Sequence, residues 1–138
     1  MTVPAAAELG VSLSWRRNFA ARAAVGVARL LIQLPPRRLR QALELASRGA
    51  RPATAAQALA ARQATVTVSA RCAGQGCLQR SVATALLCRG HGRWPDWCTG
   101  VRTQPFRAHA WVEADGVAIG EFDDMTAFHP TMSVRKHR

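Results

Sequence analysis

The sequence predicts an α+β fold, with a helical first half followed by one buried helix packed against a small antiparallel sheet. Three features carry that expectation. Apolar residues recur at three- and four-residue intervals from Trp15 onward, a Gly74-Gln75-Gly76 turn precedes a second helical run starting at Cys77, and three short alternating segments follow Cys98. At 138 residues, 49% apolar and 20% charged, the chain suits one compact domain and is too short for two. Residues 1–138 are expected to form a single domain, with an Arg-rich helical part over 1–71 and a Cys- and His-bearing core over 72–138.

Phe19, Ala23, Val27, Leu30, Leu31 and Leu34 would share one face of a first helix over 15–33, with Arg16, Arg22 and Arg29 between them. Pro35-Pro36 ends it, because proline lacks the N–H and pushes the preceding residue out of the helical region. Arg37 to Ser47 reads as a shorter helix closed by Gly49. A third begins near Pro52 to Thr54 and runs to about Arg71, weakened at its end by β-branched Thr65, Val66, Thr67 and Val68. Leu78, Val82, Ala85, Leu86 and Cys88 then keep helical spacing from Cys77 to Arg89. Gly90, Gly92, Pro95 and Asp96 make a loop. Strands are expected over Thr99–Thr103, Ala108–Glu113 and Val117–Glu121, separated by Pro105 and by Asp115-Gly116.

The net charge of +11 rests on 18 Arg and one Lys against eight acids. It is uneven: residues 1–95 hold 14 Arg with only Glu8 and Glu44, whereas residues 96–138 hold five basic and six acidic residues. Such a surface can meet nucleic acid, anionic lipid or acidic peptide. No aromatic stacking platform or helix-turn-helix pattern accompanies it, so solvated helix faces are expected ahead of a basic nucleic-acid-binding module. Trp15 to Phe19 imitates a twin-arginine export signal, but Arg22 and Arg29 interrupt the apolar run behind it, leaving neither a signal core nor the roughly 20 apolar residues of a membrane span. A cytoplasmic protein with free thiols at Cys72, Cys77, Cys88 and Cys98 is the expectation. Only Cys72 and Cys77 approach zinc-ligand spacing, so no metal is expected.

A thiol at a helix N-terminus sees unsatisfied N–H groups and the positive dipole end, which favour the thiolate. Cys77 occupies that place. The glycines before it allow a sharp turn, the Cys77 N–H would be free to bind an oxyanion, and Gln75 could supply a second donor. His109 lies in the strand run PFRAHAWVE, sharing a face with Trp111 and Glu113. A Cys at a helix start followed by a His in a strand is the chain order of papain-like and transglutaminase-like sites, in which the imidazole activates the thiol.

The segments CLQRSVATALLCRG and WCTGVRTQPFRAHAWVEADG, with the later GE, closely resemble the leader peptidase of lasso-peptide biosynthesis, and the resemblance extends from the Arg-rich first helix through PPRRLR to FHPTMSV. That family is a transglutaminase-like group of cysteine peptidases with a Cys-His-acid triad. The resemblance implies that Cys77 is the nucleophile, His109 the base and Glu121, twelve residues further on, the acid that orients it. Many relatives carry Asp there, so Glu121 departs from the commonest pattern. It also implies no metal or organic cofactor, a precursor peptide as substrate, a separate leader-recognition protein and a cyclase that receives the freed core. A catalytically inactive scaffold bridging those two proteins is the rival within the same setting.

Which acid reaches His109 depends on the hairpin register. A two-residue Asp115-Gly116 turn would place His109 opposite Phe122 and Glu121 on the wrong side of the sheet. A three-residue loop with Gly116 in a left-handed bulge would set His109 opposite Glu121. The longer loop is the expectation, because only it leaves an acid beside the imidazole, with Asp123 in reserve. Trp111 is expected beside the site, Trp94 and Trp97 over the loop edge, Arg102 and Arg107 near the cleft, and Cys88 in the core.

Overall fold

The computed structural model describes residues 10–122 and 124–136. Among the described residues, five α-helices and a small sheet make up the α+β fold that the sequence predicts, one helix more than expected because the third is split in two. The first helix, α1 (Trp15–Leu31), is capped by the Ser14 hydroxyl, which accepts from the Arg17 N–H. Its buried face is not the predicted one. Ala21, Ala24 and Ala28 face inward, while Trp15 and Phe19 stand 76% and 72% exposed and Val27 and Leu30 lie on the same outer side. Small alanines let the helix lie close to its neighbours, and contact periodicity alone does not reveal which of two apolar faces is chosen.

Helix α2 (Pro36–Ser47) starts with Pro36 in its first turn and buries Leu39 and Leu43. Helix α3 (Ala55–Val68) opens with a capping box between Thr54 and Gln57. At its β-branched end the Thr65 and Thr67 hydroxyls donate back to the carbonyls of Ala61 and Gln63, and burial of Ala64, Thr65 and Val66 holds the helix there. Ser69 then breaks the helix and caps the single turn α4 (Ala70–Ala73). Helix α5 (Cys77–Arg89) has the bounds its spacing predicts.

Two short segments, β1 (Arg51–Pro52) and β2 (Arg93–Trp94), pair in parallel. The main sheet runs in the order β5-β4-β3-β6, formed by β3 (Asp96–Arg102), β4 (Arg107–Ala114), β5 (Val117–Ala118) and β6 (His129–Val134), all antiparallel. The sequence does not announce β6, because Pro130 interrupts its pattern. Proline is tolerated there since β6 is an edge strand and the ladder slips at Thr99/Gly100. Trp94 and Trp97, expected over the loop edge, are instead fully buried, their indole N–H groups donating to the Val134 carbonyl and the Ser81 hydroxyl. One core joins both halves of the chain, with Ala24, Ala28, Leu39 and Leu43 packed against Val82, Trp97 and Val112. No helix among the described residues is long and apolar enough to cross a membrane.

Candidate active site

Cys77 is the first residue of α5. Gly76 before it has φ −80° and ψ 56°, an inverse γ-turn in which the Cys77 N–H donates to the Gln75 carbonyl at 2.9 Å. The N–H expected to be free for an oxyanion is thus engaged, a correction that follows from the conformation of the glycine. A Cβ on Gly76 would lie 2.8 Å from the Arg71 carbonyl oxygen, so close approach of α4 excludes a side chain there. Gln75 is exposed and, with Gly74, Arg80, Arg107 and His109, lines a polar cleft of about 470 Å³ that has Cys77 in its wall. Buried Arg80 donates through Nη1 to the carbonyls of Cys72 and Gly74 at 2.9 and 3.1 Å. Those bonds tie the loop before the thiol to the helix that carries it.

His109 comes from β4, buried between Trp111 and Phe128, whose ring centroids lie 6.0 and 5.6 Å from its own. Its Nε2–H donates to Glu121 Oε1 at 2.5 Å. The other carboxylate oxygen of Glu121 accepts from Arg62 Nη1 at 2.6 Å, and the side chains of Arg62 and Glu121 are each only 5% exposed. Nδ1 is buried and makes no hydrogen bond, which leaves it as the nitrogen for the thiol. Cys77 and the imidazole shift each other's titration while standing outside strict hydrogen-bond geometry, as catalytic pairs often do until substrate tightens them.

The electrostatics of the three groups are coupled. Burial alone would raise the Cys77 thiol, but His109, the Ala110 backbone N–H and Arg80 outweigh it and hold the thiol below its ordinary value. Burial opposes charge on His109 too, yet Cys77 and Glu121 raise its pKa to about 9. Glu121 is pushed up by burial and pulled further down by His109, Arg62 and Arg80. The two shifts run in opposite directions, Cys77 down and His109 up, and each favours the charged form of its group. The other cysteines differ: burial raises Cys72, and lifts Cys88 and Cys98 to about 12. All four are free thiols.

Glu121 reaches the imidazole by a route that register reasoning did not foresee. Ala114 pairs with Val117 across a two-residue turn, with Asp115 at φ 55° and Gly116 at φ 77°. That is the type I′ geometry of an Asp-Gly hairpin, and the expected three-residue loop is absent. Continued pairing in this register would turn Glu121 away from His109. The ladder ends with the Ile119 N–H donating to the Val112 carbonyl at 3.0 Å, however, and Gly120 at φ 69° swings the chain across the open edge of β4. A Cβ on Gly120 would stand 2.5 Å from Arg62 Cδ, so the bend needs glycine on both conformational and steric grounds. Beyond Ile119 no described strand pairs with that edge of β4, and the Ala110 N–H is among the groups that hold the thiol down. Asp123, the reserve acid, lies outside the described residues.

Arg62 and Arg80 are the two site residues that the sequence did not disclose. Arg80 lies inside the CLQRSVATALLCRG segment, where nothing local marks it out from a solvated helix cation, and Arg62 is 59 positions from its partner Glu121. Of the arginines expected near the cleft, Arg107 lines it and Arg102 lies over the Phe128 ring at 5.4 Å. Trp111 packs on His109 as predicted. Cys88 lies in a small cluster with Ala53 and Ala61.

A cysteine at a helix start, a strand histidine beside it and a buried carboxylate behind the histidine form a cysteine–histidine–acid arrangement on an α+β frame. Residues 21–133 match the model of the transglutaminase-like superfamily. The chain therefore belongs to that superfamily, a group of cysteine-peptidase-like folds. No curated protein and no solved structure matches it.

Proposed function

We propose that the protein is a cysteine peptidase that removes the leader from a ribosomally made lasso-peptide precursor in the cytoplasm, with Cys77 as nucleophile, His109 as base and acid, and Glu121 as the group that orients the imidazole. The observation that carries this reading is the hydrogen-bonded line Arg62–Glu121–His109, with Cys77 and His109 together in the wall of the polar cleft. The resemblance of CLQRSVATALLCRG and RAHAWVEADG to the lasso leader peptidases supplies the substrate class.

In this reading His109 takes the Cys77 proton and the thiolate attacks the scissile carbonyl, forming a C–S bond and a tetrahedral oxyanion. The imidazolium then gives its proton to the leaving amine, the C–N bond breaks and the core peptide departs. Water, deprotonated by His109, attacks the thioester, and the leader leaves as a carboxylic acid while the thiol is restored. Glu121 stabilises the imidazolium throughout without itself taking the proton. Gln75 lines the polar cleft as an oxyanion donor. The Cys77 N–H joins it only if the γ-turn bond to Gln75 opens, and such a bent bond is weak. A separate recognition protein holding the leader and a cyclase receiving the core are the partners this function requires. The test is incubation with precursor and recognition protein followed by mass spectrometry: two fragments summing to the precursor plus one water support the reading, and an unchanged precursor mass contradicts it.

A further inference from the structure

Cys77 and His109 stand in the walls of two clefts of opposite character. The polar one carries Arg80 and Arg107. The other, about 570 Å³, is lined by Ile32, Leu34, Leu39, Leu78, Val101 and Met132, with no Arg, Lys, Asp or Glu among the described residues of its wall. In a chain of net charge +11 with 18 Arg, a cleft beside the nucleophile whose described lining holds no guanidinium, ammonium or carboxylate is a marked local departure. Its volume falls within the about 300–1,000 Å³ typical of ligand pockets. It is also open, since Leu34 is exposed at its rim and Leu78, Val101 and Met132 are only partly buried.

We propose that this cleft is a specificity subsite that takes an uncharged, apolar side chain of the precursor within two residues of the scissile bond. The proposal rests on the peptidase reading above and deepens it. A chain bound with its scissile carbonyl at Cys77 must run past one wall or both, and a charged side chain lying on this one would lose its hydration without gaining a partner. An apolar side chain loses nothing and gains burial. The subsite also gives the Arg-rich half a part in recognition. Ile32 and Leu34 come from the link between α1 and α2, Leu39 from α2, and they face Val101 of β3 and Met132 of β6 across the cleft.

Competition between precursor variants measures this directly. The two residues on each side of the scissile bond are changed singly to Leu, Asp and Lys, and pairs of precursors are offered together to the full-length enzyme with the recognition protein. At one position Leu should beat both Asp and Lys by about 100-fold in kcat/KM, while Leu, Val and Met stay within about 10-fold, the scale on which an apolar pocket separates apolar side chains. Val101→Lys and, at the exposed rim, Leu34→Glu should shift the Asp/Lys ratio in opposite directions at that same position. Because the readout is a ratio within one reaction, loss of active fraction in either variant cancels. Equal rates for Leu, Asp and Lys at all four positions, or ratios unmoved by both variants, would overturn the subsite alone. Failure of the wild type to cleave any precursor would overturn the peptidase reading and the subsite with it.

Discussion

At the scale of single residues, the site depends on one thiol being unlike the other three. Cys77 is held below its ordinary pKa while Cys88 and Cys98 stand at about 12, so at neutral pH the thiolate fraction differs by about 10³ or more. Iodoacetamide followed by peptide mapping should label Cys77 first, and equal labelling of all four in the folded protein would contradict the assignment. The alkylation rate of Cys77 should rise with pH through its depressed pKa and lie flat well before the range of an ordinary thiol. Glu121→Gln keeps the shape but removes the charge beside His109. Turnover should then drop by orders of magnitude, by analogy with the roughly 10⁴-fold loss for Asp to Asn in a triad, and the alkaline limb set by His109 should move below pH 9. Cys77 and His109 were legible in the sequence because helix start and strand parity are local signals. Arg62 was not, since nothing near Arg62 in the chain specifies a partner 59 residues away.

At the scale of elements, the short hairpin decides where the acid goes. Asp115-Gly116 carried a correct turn signal, and the three-residue loop failed because parity reasoning assumed that pairing continues to residue 121. The physical answer lies in Gly120, which ends the strand and turns Glu121 inward. Gly120→Ala should therefore destabilise the fold by about 1–3 kcal/mol, the usual cost of a residue with a side chain in strained backbone. It should also slow turnover at least tenfold by displacing Glu121 or Arg62, which thermal melting and steady-state rates would show. Unchanged rates in this variant would mean that Glu121 does not need the bend. Replacing the buried partner tests the same element from the other side: Arg62→Met should cost about 1–3 kcal/mol by leaving one buried Glu121 oxygen without its donor while His109 still holds the other, and Arg62→Lys should recover much of that stability but not the full rate. Helix α5 was read to the residue because its periodicity is continuous, whereas Pro130 concealed β6 and the two apolar faces of α1 could not be ranked without knowing which neighbours it meets.

At the scale of the whole molecule, the Arg-rich helices are part of the fold that holds the candidate site and not an appendage. They supply Arg62 to the carboxylate and Leu39 to the core. Their exposed charge suits docking of an acidic partner or precursor. Reversing Arg37 and Arg38 to Glu should raise the KM for the precursor complex several-fold and steepen its salt sensitivity, leaving kcat nearly intact. Global stability should report the buried pairs through pH. His109 is raised to about 9 in the fold from about 6.5 unfolded, so its contribution is fully present below about pH 6.5 and is lost as pH rises toward 9. Glu121 is depressed, so its contribution is present above its unfolded value near 4.3 and is lost as pH falls through the folded one. Cys77, depressed in the fold, contributes in the opposite sense as pH rises toward its ordinary value, so the alkaline decline is the difference of the two and should steepen in melting curves of Cys77→Ala.

The most direct test is to mix the enzyme with precursor and recognition protein, quench in acid within a turnover, and measure the intact mass of the enzyme. The account predicts an added mass equal to the leader less one water, mapping to the peptide that holds Cys77, and neither adduct nor cleavage in Cys77→Ala. Cleavage at the wild-type rate by Cys77→Ala would contradict it.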